Sequence, residues 1–212
     1  MSCILGEIDT LNEKYQAQLA IESRWIVDAD RLASQLSPDD QRRLADGKSI
    51  SLLKYAESNW HPQLYIENAL GDLKEQIRYS AKKSRDDQQV YVCEQRDVKG
   101  VFWEKLELHH FPSDVQDLSI SIGSMFYDDK VTLLADPNLM SGVNREAFVD
   151  QQEWSLYEHV DTTQRHVAEF LFRSATDEDE EGEENGVQHD QGSSSEDRKR
   201  SILTITCHAG KR

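Results

Sequence analysis

Most periodic stretches of this chain alternate apolar and polar side chains one for one. Tyr15, Ala17, Leu19 and Ile21 alternate with polar residues on the way to Trp25. Leu118, Ile120 and Ile122 alternate with Asp117, Ser119 and Ser121, and Leu203, Ile205 and Cys207 with Thr204 and Thr206. Ala168, Phe170 and Phe172 keep the same period. A period of two sends successive side chains to opposite faces of a strand, so each stretch predicts a strand with one buried face. Val90–Cys93 and Val131–Leu134 are further short runs of β formers. Turn residues separate the runs at Arg85-Asp86-Asp87, Asp128-Asp129 and Asp136-Pro137-Asn138. The pattern predicts an all-β fold: a twisted antiparallel β-sandwich of about ten strands, immunoglobulin-like. One helix signal stands out between early strands. Ser37 is an N-cap, Pro38 opens the first turn, Asp39 and Asp40 follow, and Gly47 stops it after about three turns.

Composition narrows the choice. The 212 residues suffice for one sizeable domain, taken here as 1–212, and no repeat divides them. Forty acids against 24 bases give a net charge of −16, which argues against a nucleic-acid surface built of clustered Lys and Arg. Ten of those acids fall between Asp177 and Asp197, with no Lys or Arg and with Gly and Ser interleaved. That composition predicts a flexible, self-repelling loop over 177–197, and it leaves only −6 for the rest. Arg198-Lys199-Arg200 and a strand-like run follow directly, so the loop reads as the tip of a long hairpin. No stretch is long and apolar enough to span a bilayer, and Met1–Gly6 is too short for a secretory signal. The three cysteines, Cys3, Cys93 and Cys207, form no Cys-x-x-Cys pair. Buried thiols are the default reading and one disulfide among the three is the alternative.

Catalytic and metal chemistry finds little support. His109 and His110 are adjacent and point to opposite faces of a strand, while His159 and His166 have no cysteine near them. Asp177–Glu184 lacks the spaced ligands and glycine of an EF-hand loop. There is no Gly-x-Ser-x-Gly and no phosphate loop, so neither an enzyme nor a cofactor is expected.

One run is more specific. Glu104 to Leu118, with Phe111-Pro112-Ser113-Asp114-Val115-Gln116 at its centre, resembles the signature loop of pentameric ligand-gated ion channels, the Cys-loop receptor superfamily. Other stretches fit the same family in order along nearly the whole chain. Trp25 with Asp28 resembles the end of its second strand, and Trp60-His61-Pro62 the entry to binding loop A. Gly123–Asp128 resembles loop B, Glu153-Trp154 the approach to the ninth strand, and the hairpin with the acidic run occupies the place of loop C. Cys207–Arg212 resembles the lead into the first membrane helix. The chain departs from the eukaryotic pattern where two cysteines would staple the signature loop, because Glu104 and Leu118 stand there. It resembles the branch without that disulfide.

The resemblance implies the extracellular ligand-binding domain of a channel at the plasma membrane. The chain would form a homopentamer in the full-length protein, bind a small molecule between subunits and pass the signal to a membrane domain absent from these residues. On the principal face the implied ligand-binding positions are Glu67, Asn68, Met125, Phe126, Tyr127, Phe170 and Phe172. On the complementary face they are Ala20, Tyr79, Tyr91 and Cys93. Phe111, Pro112, Asp114, Gln116 and Arg212 take the coupling positions. With Met125 and Ala20 where aromatic walls stand in amine receptors, a larger amphiphilic or apolar ligand is expected instead. A soluble ligand-capturing homologue resembling acetylcholine-binding proteins, or a non-channel β-sandwich interaction module, is the alternative.

Overall fold

The structure, a computed structural model, describes residues 1–106, 115–148, 150, 152–168 and 198–211. Ten strands and three short helices lie among them. A six-stranded sheet is formed by β1 (Ser2–Asp9), β2 (Lys14–Val27), β3 (Ile50–Ser51), β5 (Ala69–Lys83), β6 (Val90–Trp103) and β8 (Gly142–Val143), in the order β3-β5-β6-β2-β1-β8. The second sheet runs β4-β7-β10-β9, from β4 (Leu64–Ile66), β7 (Val115–Ser124), β9 (Trp154–Ala168) and β10 (Lys199–Lys211). All pairings are antiparallel except the two-residue contact of β1 with β8. The chain is therefore all-β, two sheets packed face to face.

Period two explains the packing. Tyr15, Ala17, Leu19 and Ile21 on β2, Leu118, Ile120 and Ile122 on β7, and Ile205 and Cys207 on β10 all point inward. They meet Cys3, Leu5, Phe102 and Trp154 in one core between the sheets. Cys3 and Cys207 both belong to this core, and all three cysteines are free. A second, smaller core of Leu32, Leu44, Ile50, Leu52, Tyr55, Ala81, Val90 and Val92 lies under the helices.

The helix at Ser37 forms as expected, but over Pro38–Ala45, closer to two turns than three. Ser37 accepts from the Asp40 amide, and Gly47 adopts φ +73° just beyond the end. Two elements depart from the sequence expectation. Val131–Leu134 is not a strand: the Leu133 amide donates to Ser201 Oγ at 3.0 Å instead of to a ladder. β5 carries no alternation because it is exposed along most of both faces. Antiparallel β9 and β10 pair from Lys199↔Ala168 onward, so the acidic run falls in the connection between them, outside the described residues.

Candidate ligand-binding site

Two connecting segments are brought together at one end of the four-stranded sheet. β4 pairs with the end of β7, Leu64↔Ser124 to Ile66↔Ile122. Beyond that pairing Ser124 Oγ donates to the Pro62 carbonyl at 2.6 Å and accepts from the Phe126 amide at 3.1 Å. The Met125 amide donates to Gln63 O at 3.1 Å. Gly123 permits the approach, since a Cβ there would meet Ile202 Cδ1 at 2.7 Å and the Tyr65 ring at 2.8 Å. Met125, Phe126 and Tyr127 are thereby held beside Trp60-His61-Pro62.

An aromatic chain leads from this surface into the interior. Trp60, half exposed, stacks on Phe126 (6.1 Å, 23°) and meets Trp25 edge-on (6.1 Å, 87°). Trp25 contacts Tyr55 and Tyr79, and Tyr79 also meets His61. At the inner end the Tyr79 hydroxyl donates to Glu94 Oε2 at 3.0 Å. Burial and then the Glu94 carboxylate push the Tyr79 hydroxyl well above its usual 10, so it remains a donor. Glu94, 1% exposed, is paired with Arg96, which also donates to the Leu64 carbonyl of β4 at 2.7 Å. The buried ion pair is thus tied to the backbone that enters the site. Ser23 Oγ and Trp25 Nε1 are buried beside it without a hydrogen-bond partner.

Cations of the same chain cover the exposed rings. Arg198 and Arg200 stand 5.4 and 5.1 Å from the Tyr127 ring centre, and Lys130 lies 6.0 Å from that of Phe126. Glu67 is paired with Arg165 of β9. Met125 is more than half exposed.

The remaining implied residues are distributed as follows. Asn68 does not offer its amide to a ligand: Nδ2 donates to Trp103 O (2.9 Å) and Ser119 O (2.7 Å), and Oδ1 accepts from the Ser121 amide. It laces the two sheets together. Ala20, Tyr91 and Cys93 lie on the outer face of the six-stranded sheet, with Arg24 and Ser80 on either side of Cys93. The Tyr91 hydroxyl donates to Asp87. Cys93 is half-buried, and burial with the nearby Glu22 pushes its thiol up to about 11. Tyr79 is not on that face, because it pairs directly with Glu94, one residue on from Cys93, and so points inward. Gln116 is buried in β7. Glu104 accepts from the amide of Ser119, the residue after Leu118, at 2.7 Å, and its carboxyl is pushed up by burial. Phe111, Pro112, Asp114, Phe170, Phe172 and Arg212 lie outside the described residues.

Sequence reasoning missed Trp25, Tyr55, Glu94 and Arg96 as parts of one network. The available signal was Glu94 and Arg96 at period two inside an apolar alternation, a pattern that places both charges on a buried face. No protein-family model matches the chain, and comparison with curated proteins finds no match either.

Proposed function

We propose that this chain is the ligand-binding ectodomain of a pentameric ligand-gated channel, and that its ligand sits between two copies. One observation carries the reading. Met125–Tyr127, Trp60 and the pairing ends of β9 and β10 gather at one end of the four-stranded sheet, whereas Ala20, Tyr91 and Cys93 lie on the outer face of the other sheet. Neither set is a complete site alone, and head-to-tail packing of identical copies joins them. The ligand is an amphiphile without a cationic head. Amine recognition needs open ring faces, and those of Phe126 and Tyr127 are already occupied by Lys130, Arg198 and Arg200. In the full-length protein the assembly is a homopentamer at the cell surface.

Two measurements test this. Sequencing the transcript past Arg212 should reveal four apolar segments of about 20 residues; an immediate stop codon overturns the channel and leaves a soluble ligand-capturing protein. Sedimentation of the 212-residue chain should show monomer giving way to pentamer as concentration rises, and a concentration-independent dimer would rule out head-to-tail packing.

A further inference from the structure

The outer face of the four-stranded sheet carries four ionisable side chains in a row, remote from the aromatic site. Asp117 stands on β7, His208 on β10, and His159 and Asp161 on β9. His208 Nδ1 is 2.7 Å from Asp117 Oδ1, and His208 Nε2 is 2.9 Å from Asp161 Oδ2. The other Asp161 oxygen is 2.8 Å from His159 Nε2. The two imidazoles are parallel within 3°, with ring centres 6.4 Å apart.

A neutral imidazole has one N–H and one lone pair. It satisfies one carboxylate and turns the lone pair on the other. Only the imidazolium donates at both nitrogens, so the geometry around His208 is that of the charged ring. We propose that Asp117, His208, Asp161 and His159 form a proton-operated clamp across β7, β10 and β9, closed while His208 holds both ring protons and opened when it loses one.

The groups facing His208 are Asp117 from β7 and Asp161 and His159 from β9. Glu104 adds a carboxyl near Asp117, engaged with the Ser119 amide. The next rung is uncharged, Ser119 Oγ and Thr206 Oγ1 at 3.1 Å. Burial alone lowers the affinity of His208 for a proton, but its hydrogen bonds to Asp117 and Asp161 outweigh this and hold it above the usual 6.5. Hydrogen bonds from His208 and then His159 hold Asp161 below the usual 3.8. The His208 contribution to stability is therefore complete below pH 6.5 and is lost as pH rises through the folded value. On the acid side it persists until Asp161 is protonated, below pH 3.8. Asp117 is the third residue of β7 and pairs directly with His208 near the end of β10, so opening unties the sheet where β7 begins and β10 ends.

The test is an NMR titration of the imidazole resonances of the 212-residue chain from about pH 5 to about pH 9, for wild type, Asp117→Asn and Asp161→Asn. Wild-type His208 should titrate above 6.5. Each substitution should reduce its proton affinity about tenfold. His208 titrating at or below 6.5, or unmoved by both substitutions, overturns the clamp. Denaturation of His208→Gln supplies a second readout. The stability advantage of wild type should shrink as pH climbs from 6.5, and a constant difference across that range overturns it.

Discussion

Between β1, β2, β7 and β10 the interior is closed almost entirely by apolar side chains, among them Leu5, Leu19, Leu118, Ile120 and Ile205. Two residues along β6 from Val98, the same interior contains Glu94 and Arg96 among Tyr79, Trp25 and Tyr55. The first region holds the sheets together without specifying how one sits on the other, because apolar burial is non-directional. The second is directional. Arg96 reaches the Leu64 carbonyl only at one placement of β4, and the aromatic chain transmits that placement to Trp60 and Phe126. A buried ion pair contributes little net stability, since desolvation offsets the attraction. Its value here is positional: it sets the height of the segment that carries the candidate site.

The largest effect expected from this contrast is at Arg96. Arg96→Leu strands the Glu94 charge and should cost about 3–5 kcal/mol in urea unfolding. Adding Glu94→Leu should recover most of that loss, leaving the double variant within about 2 kcal/mol of wild type. Failure of the second substitution to rescue the first would show that the ion pair is a stability element and not a positioning one.

Ile120→Ala tests the apolar region and should cost about 2–5 kcal/mol through lost burial and the cavity left behind. No single partner substitution should restore it, and tryptophan fluorescence from Trp60 should stay unchanged in the folded state. A changed Trp60 signal would mean that the two regions are not separable.

The smallest effect is at Trp25. Its Nε1 hydrogen is buried without a partner, so Trp25→Phe removes an unpaired donor along with some ring area. The two effects oppose, and the net change should stay within about 1 kcal/mol. A loss comparable to that of Ile120→Ala would place the Trp25 N–H in a hydrogen bond after all.

Much of the fold was legible in the chain. Alternation placed β2, β7 and β10 with the correct faces inward, and Ser37, Pro38 and Gly47 located the helix, because those signals are local. β5 was illegible because both of its faces meet solvent, which erases the period. Val131–Leu134 had the composition of a strand, but the Leu133 amide goes to the side chain of Ser201 on β10 and not to a backbone carbonyl of a ladder. At the candidate site the sequence marked Met125, Phe126 and Tyr127, but it did not show that Asn68 bonds to backbone of both sheets or that Tyr79 is hydrogen-bonded to Glu94. Polar and aromatic residues near a turn look alike whether they face a ligand or bind their own backbone.

The sequence by itself determined the class of fold, the inward face of each alternating strand and the caps of one helix, since period and capping depend on residues a few positions apart. Tertiary structure decided everything that joins distant positions. Strand register put Tyr79 opposite Glu94, sheet packing carried Arg96 to Leu64, and the pairing of β10 with both β7 and β9 set His208 between two carboxylates. Each of these contacts brings together groups on different strands, and a hydrogen bond is made or lost within a few tenths of an ångström, a precision that no pattern along one strand encodes.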